Sequence, residues 1–149
     1  MNIVVTGGAG RLGQLTTKEL VAYGHEVLAI DKAPIPDPVC RSSIIDLSQA
    51  QECVNVCQGA DAVIHLARRR FPYTSSGFEP ALRTWKIPDV FGDAENFSYN
   101  VTISYNVVAA AFAAGVKKLV MGSSLTIYGF YYPTRFAAPE CLPVDEAHP

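Results

Sequence analysis

The chain has 149 residues, of which 49% are hydrophobic and 17% charged, a composition typical of a globular domain and not of a disordered segment. The net charge of −2 gives no indication of nucleic-acid or anionic-membrane binding, and no apolar run reaches the ~18 residues of a membrane span. The sequence enters a strand directly after Met1, with no basic segment or cleavage site before it, and we therefore expect a cytoplasmic protein.

Strands and helices alternate along the first part of the chain. The apolar run 2–6 ends in glycines and predicts a buried parallel strand. Apolar residues at helical spacing predict a helix over 11–23, which Gly24 ends. A second buried strand is expected over 26–30, and the proline-rich stretch 33–38 is a loop that continues neither element.

The alternation continues with a short third strand over 43–46 and a helix from the N-cap Ser48 to about Gln58. A fourth buried strand is expected over 60–67. Such an order predicts an α/β fold built from right-handed βαβ units on a parallel sheet.

The pattern breaks between Arg68 and about Pro88, and a connection of this length is usually functional or mobile. A helix is then expected over 94–114, capped by Gly115, followed by a fifth strand over 117–121. The remainder is rich in turns and gives no clear element.

A glycine-rich turn joins the first strand to the first helix. Gly7 permits a tight exit from the strand, Gly10 lets the backbone approach a pyrophosphate, and Gly13 allows close packing of the helix on the sheet. The helix N-terminus at Arg11 and Leu12 offers free N–H groups to phosphates. This context predicts a nicotinamide dinucleotide site.

Asp31 follows the second strand, where a carboxylate accepts from both ribose hydroxyls of NAD. Its charge would repel a 2′-phosphate, which favours NAD over NADP. Arg11 and Lys32 could neutralise such a phosphate, so NADP stays open.

The cysteines are Cys40, Cys53, Cys57 and Cys141. Cys53 and Cys57 stand four residues apart on a predicted helix, and one face could present both to a metal. Because no second pair or nearby histidine completes four ligands, we expect reduced, partly buried thiols and no metal site.

The spacing Gly-x-x-Gly-x-x-Gly resembles the short-chain dehydrogenase/reductase superfamily and, more narrowly, its extended branch, the NAD-dependent epimerase/dehydratase family. Asp46-Leu47 resembles the family's pair whose aspartate contacts the adenine, and His65-Leu66-Ala67 resembles its strand end beside the cofactor. Asn100-Val101 is similar to its helix signature. The resemblance implies a cofactor site formed by Gly7, Gly10, Arg11, Leu12, Gly13, Asp31, Asp46, Leu47, Leu66, Ala67, Arg68, Asn100 and Ser123.

The segment from Gly122 to Gly129 resembles the family's Ser-Ser…Tyr-Gly stretch after the fifth strand. There the serine four residues before the tyrosine Tyr128 is catalytic, which implies this role for Ser124. Together the matches imply a Rossmann-type doubly wound sheet that is incomplete at its C-terminal side.

The family's proton-transfer pair, Tyr-x-x-x-Lys, has no equivalent in the chain. The comparable spacing Tyr131-x-x-x-Arg135 comes too early and has arginine in place of the lysine. One hypothesis is that residues 1–149 are the NAD(P)-binding domain of a longer enzyme whose substrate-binding part is absent. The other is a natural half-domain, a non-catalytic regulator that binds a dinucleotide.

The resemblance implies hydride transfer to bound NAD on a sugar or nucleotide-sugar substrate, and a homodimer at full length. A sugar-acid (uronate-type) dehydrogenase is an alternative. The run 68–70 either holds an anion or is a solvated basic surface. Trp85 and the aromatic cluster 130–132 either line a substrate pocket or form apolar surface.

Overall fold

The computed structural model of the protein describes residues 1–69 and 94–124. In these ranges a parallel five-stranded sheet has the strand order β3-β2-β1-β4-β5. Its strands are β1 (Asn2–Thr6), β2 (Glu26–Asp31), β3 (Arg41–Ile44), β4 (Ala62–His65) and β5 (Lys118–Met121). The helices in these ranges are α1 (Arg11–Ala22), α2 (Ala50–Cys57) and α3 (Ala94–Ala113).

The sheet is covered on both faces. Successive side chains of β1 point to opposite faces, and apolar residues occupy both. Val4 packs with Ile30 and with residues of α2 and α3 on one face. Ile3 and Val5 join a second cluster, which includes Leu20 of α1, on the other face. Burying one such aliphatic side chain contributes about 1.5–3 kcal/mol. The expectation of a doubly wound Rossmann-type sheet is therefore confirmed.

The strand order reverses at β1, because β2 and β3 lie on one side of it and β4 and β5 on the other. In parallel sheets ligands bind in the crevice that opens at the carboxyl ends of the strands at such a switch point. In this chain the glycine turn follows β1 and residues 66–69 follow β4, so both line that crevice.

The third strand and the second helix begin at residues other than those predicted. β3 occupies Arg41–Ile44 instead of 43–46, because its pairing with β2 aligns Arg41 with Leu28. The predicted cap Ser48 is wrong: Gln49 is the N-cap of α2 and makes no side-chain cap bond. The Ser48 N–H instead donates to the carboxylate of Asp46 at 3.0 Å, which turns the chain before the helix. β4 is also shorter than predicted, at Ala62–His65.

Cys53 and Cys57 are fully buried, with 0% and 1% exposure, so the expectation of partial burial was wrong. The Cys53 thiol donates to the carbonyl of Leu47 at 3.4 Å. Burial raises the pKa of Cys53 to about 11 and raises that of Cys57, which disfavours the thiolate that a metal would need. Residues 1–69 and 94–124 contain no group of three or more metal-ligating side chains. Cys141 lies outside them.

None of the helices in the described part of the chain is both long and apolar enough to cross a membrane.

Candidate cofactor site

A cleft of about 770 Å³ opens at the switch point between β1 and β4. It is lined by the glycine turn, by Asp31 at the end of β2, and by the segments that follow β4 and β5. The inner part of α3 forms a further wall. The sheet thus brings together residues that are far apart in the sequence.

The glycine turn is built without room for side chains. Gly7 has φ of 75°, a left-handed conformation that favours glycine, and a Cβ there would lie 2.7 Å from the backbone nitrogen of Ala67. A Cβ on Gly13 would overlap the carbonyl of Gly7. Gly13 therefore allows the first turn of α1 to approach the turn after β1 closely. Gly8 donates its N–H to the Ile30 carbonyl at 3.0 Å, a contact that the sequence analysis did not predict.

The N-terminus of α1 is open towards the cleft. Gly10 is its N-cap, without a side-chain cap bond, and no acidic residue stands in the first turn. The first intrahelical bond runs from the Gln14 N–H to the Gly10 carbonyl, so the N–H groups of Arg11 and Leu12 have no intrahelical acceptor. These donors, the positive end of the helix dipole and the space over Gly10 fit a pyrophosphate.

Both carboxylate oxygens of Asp31 are held by the backbone. One accepts from the Ala9 N–H and the other from the Ala33 N–H, each at 3.0 Å. A carboxylate oxygen can accept more than one hydrogen bond, so the group is oriented and still able to accept from ribose hydroxyls. The first bond also ties the end of β2 to the glycine turn.

The floor of the cleft joins the ends of β1 and β4. The Thr6 hydroxyl lies 2.7 Å from Nδ1 of His65, and its oxygen accepts from the N–H groups of Leu66 and Ala67 at 3.2 Å each. Nε2 of His65 lies 3.4 Å from the Ser104 hydroxyl of α3. Leu66 and Ala67 are thereby fixed against the turn.

A charged cluster forms around Lys32, which directly follows Asp31 and lines the cleft. The Lys32 ammonium lies 2.8 Å from the Asp46 carboxylate and 5.2 Å from the centre of the Tyr99 ring. The Tyr99 hydroxyl donates to Asp46 at 3.1 Å. Lys32 and the Ser48 N–H hold the pKa of Asp46 well below its usual range, and the bond to Asp46 raises the pKa of Lys32.

Asn100 fastens α3 to the segment after β4. Its side-chain carbonyl accepts from the Arg69 N–H at 2.7 Å and its amide donates to the Arg69 carbonyl at 3.1 Å. Arg69 also pairs with Glu95 at 2.6 Å. Asn100 therefore borders the cleft while its amide positions the chain. Arg68, which is exposed, lines the same wall.

The cleft continues to the end of β5. The Gly122 N–H donates to the His65 carbonyl at 2.9 Å, and Ser123 lines the cleft. Ser124 follows as an exposed residue that has interaction partners of its own and is not part of the lining.

The structure thus brings together all of the predicted site residues except Asp46 and Ser124. Those that line the cleft are Gly7, Gly10, Arg11, Leu12, Gly13, Asp31, Leu47, Leu66, Ala67, Arg68, Asn100 and Ser123. Arg70, Trp85, the stretch from 125 to 149 with its aromatic cluster, and the Tyr131-x-x-x-Arg135 spacing lie outside the described residues.

Some lining residues were missing from the predicted set: Lys32, Ile45, His65, Arg69, Tyr99, Ile103, Ser104, Met121 and Gly122. The helical pattern of α3 offered a usable signal, because Tyr99, Ile103 and Asn106 lie on one face. The contact between Tyr99 and Asp46 spans 53 residues, and no local pattern indicates it.

A sequence model of the NAD dependent epimerase/dehydratase family matches residues 3–143. The chain is 32% identical over 130 residues to the 2-alkyl-3-oxoalkanoate reductase of Stenotrophomonas maltophilia, covering 85% of this chain and 34% of the relative. It is 29% identical to the L-arabinose 1-dehydrogenase (NAD(P)(+)) of Haloferax volcanii (96% and 48% covered). It is 26% identical to the UDP-glucose 4-epimerase of Bacillus subtilis (100% and 42%). The chain thus spans less than half the length of these relatives.

Solved structures that resemble this chain belong to similar NAD-binding proteins. A short-chain dehydrogenase/reductase superfamily protein from Agrobacterium tumefaciens with bound NAD is 30% identical, with a TM-score of 0.71 over 100% of this chain and 38% of that protein. MoeE5 in complex with UDP-glucose and NAD is 29% identical, with a TM-score of 0.65 over 87% and 38%. The expected family cofactor, NAD, is confirmed by these complexes and by the family description. The chain belongs to the NAD-dependent epimerase/dehydratase family.

Proposed function

We propose that residues 1–149 form the NAD-binding part of a longer oxidoreductase, epimerase or dehydratase that acts on a sugar or nucleotide-sugar. The observation that supports this most strongly is the single cleft lined by the open N-terminus of α1, by the oriented carboxylate of Asp31 and by the ends of β4 and β5. These are the groups needed for a pyrophosphate, a ribose and a reacting nicotinamide end.

In this proposal, different residues of the chain bind different parts of the dinucleotide. The N–H groups of Arg11 and Leu12 donate to the pyrophosphate, and Asp31 accepts from the ribose hydroxyls. Leu66 and Ala67 face the middle of the dinucleotide, where Thr6 fixes their backbone. Bound NAD supplies the hydride acceptor.

Ser124 serves at the reacting end. It follows β5 next to the cleft residue Ser123, and in the proposed mechanism it donates a hydrogen bond to the substrate oxygen whose carbon loses or gains hydride. Proton transfer requires a base, and the Tyr-x-x-x-Lys pair of the family is not among residues 1–149. We propose that the longer enzyme provides it together with the substrate-binding part.

Some of the relatives support the sugar assignment, and they favour two different kinds of sugar substrate. The similarity to MoeE5 and to the Bacillus epimerase favours a nucleotide-sugar. The similarity to the Haloferax enzyme favours the second candidate, a dehydrogenase of free sugars or sugar acids. A non-catalytic dinucleotide-binding regulator is the third.

An NADH fluorescence titration of this chain tests the cofactor part, and saturable binding is the expected result. Turnover is then measured on the source protein with NAD and a panel of UDP-sugars, free aldoses and uronic acids. Epimerised or dehydrated UDP-sugar supports the first candidate, whereas NADH formed from free sugars or acids supports the second. NADH binding without turnover on any member supports the regulator and contradicts an enzyme that acts on these sugars.

We also propose that the longer protein is a homodimer. An apolar stripe on the outer side of α3 consists of Phe97, Val101, Tyr105, Val108 and Phe112, and Phe112 is 88% exposed. Contiguous exposed apolar surface of this kind commonly marks an interface.

Light scattering tests the dimer. The wild-type protein should have the mass of two chains at micromolar concentration, and Phe112→Glu together with Tyr105→Glu should reduce it to one. A wild-type monomer, or a dimer unchanged by both substitutions, would contradict the role of this stripe.

A further inference from the structure

We infer that the ion pair between Lys32 and Asp46 makes the cleft selective for NAD over NADP. The inference rests on the proposed cofactor site. It goes beyond that site because the family resemblance assigns Asp46 to the adenine and gives Lys32 no role.

Lys32 is placed where its charge could weaken the discrimination against NADP. Lys32 directly follows Asp31, and both residues line the cleft. NADP differs from NAD by a phosphate on the ribose that Asp31 would hold. A free ammonium beside Asp31 would attract that phosphate and offset the repulsion from the carboxylate.

In the structure the ammonium is engaged elsewhere. Lys32 Nζ lies 2.8 Å from Asp46 Oδ2 and 5.2 Å from the centre of the Tyr99 ring. Asp46 lies on the segment after β3, and Tyr99 lies on α3. The charge of Lys32 is thus compensated before a 2′-phosphate arrives, and Lys32 does not offset the repulsion from Asp31.

The Asp46 carboxylate is itself aimed at Lys32. Its Oδ1 accepts from the Ser48 N–H at 3.0 Å and from the Tyr99 hydroxyl at 3.1 Å, which leaves Oδ2 for the ammonium. An Asp46→Asn variant can keep both bonds through its single carbonyl oxygen. Its amide nitrogen then cannot accept from Lys32, so the substitution frees the lysine while preserving the local turn.

The pair is also exposed enough to be broken without loss of the fold. The side chains of Lys32 and Asp46 are 65% and 30% exposed, and exposed ion pairs contribute little to stability. A change in cofactor preference can therefore be measured on folded protein.

The test is a double-mutant cycle of dissociation constants for NADH and NADPH, measured by fluorescence titration of the wild type, Asp46→Asn, Lys32→Met and the double variant. Asp46→Asn should strengthen NADPH relative to NADH about five- to tenfold, the effect of one newly available charge-assisted contact. Adding Lys32→Met should abolish this gain. Lys32→Met alone should not strengthen NADPH relative to NADH, because it frees no cation and leaves the Asp46 carboxylate uncompensated. A contact of Asp46 with adenine would affect both dinucleotides equally and cancels in the ratio.

Arg11 supplies the matched control, because it is another cation that lines the cleft. The gain in Asp46→Asn should persist when Arg11→Met is added. A gain that needs Arg11, or one that survives Lys32→Met, overturns the inference. If the wild type binds NADH and Asp46→Asn leaves the ratio unchanged, the inference fails while the proposed function stands. If the wild type binds neither dinucleotide, both fail.

Discussion

The Thr6 hydroxyl donates its proton to Nδ1 of His65 across 2.7 Å. The direction follows from the number of lone pairs. Both lone pairs of the Thr6 oxygen already accept, from the N–H groups of Leu66 and Ala67, so the hydroxyl can only donate to the ring. His65 is then neutral with its own proton on Nε2, directed at the Ser104 hydroxyl. Two neighbouring strand ends, and the cleft between them, are fixed by this chain of bonds.

The first prediction concerns stability against pH. Burial lowers the pKa of His65 from the usual 6.5, so protonation favours the unfolded chain. The contribution of neutral His65 is complete above about pH 6.5 and is lost as the pH falls below that value towards the lower folded pKa. Urea unfolding of the wild type should give a free energy of unfolding that rises as the pH is raised towards about 6.5 and levels off above it.

Two variants separate this effect from other titrations. His65→Gln should flatten the rise, whereas Thr6→Ser, which keeps the donating hydroxyl, should retain it. An equal pH slope in His65→Gln and the wild type would show that His65 does not carry the effect.

The second prediction compares two glycines of the same turn. Gly13→Ala should destabilise the fold by about 2 kcal/mol or more, because the added Cβ overlaps the Gly7 carbonyl. Gly10→Ala should cost less, since its Cβ would meet only that carbonyl at 3.2 Å, yet it should weaken NADH binding by filling the space for the pyrophosphate. Thermal unfolding and NADH titration check both. Equal stability of the two variants would contradict the packing given for Gly13.

The third prediction concerns Asp31. Asp31→Ala should raise the dissociation constant of NADH by about tenfold or more, because it removes the ribose acceptor and the bonds to Ala9 and Ala33. Asp37→Asn is the matched control: it removes a carboxylate of the loop after β2 that does not line the cleft, and asparagine tolerates the positive φ of this position. Unchanged NADH affinity in Asp31→Ala would refute the assignment.

The fourth prediction concerns Ser124 in the full-length enzyme. Ser124→Ala should lower kcat by about a hundredfold or more through loss of the hydrogen bond to the reacting oxygen. The dissociation constant of NADH should stay within about twofold, because Ser124 does not line the cleft. Steady-state kinetics and NADH titration test this, and a loss of NADH binding with kcat unchanged would be the opposite result.

The sequence predicted the parts of the fold that are encoded locally. The runs that form β1 and β2 are apolar because both faces of the central strands are buried, and Gly24 ends α1 where expected, with φ of 79°. The bounds of α3 were also right to within one residue. β3 was misplaced because it is exposed at the edge of the sheet, so register against β2 and not hydrophobicity determines it.

Some features of the site are likewise encoded locally, and others depend on contacts between distant parts of the chain. Gly7 lies in the turn between β1 and α1, and Asp31 lies at the end of β2 and accepts from the Ala9 N–H of that turn. Both positions belong to one local motif that can be recognised in the sequence. The surroundings of Asp46 do not: Lys32 and Tyr99 reach its carboxylate from two other elements, and the direction of a side chain across such distances depends on the complete packing. A motif could indicate that Asp46 matters, but not that it binds a lysine.

A crystal structure of this chain grown with NAD is the most direct test of the proposed cofactor site. We expect the pyrophosphate against the N–H groups of Arg11 and Leu12, and the adenosine ribose within hydrogen-bonding distance of the Asp31 carboxylate. Crystals grown at millimolar NAD with an empty cleft between β1 and β4, or with the dinucleotide bound elsewhere, would contradict the account.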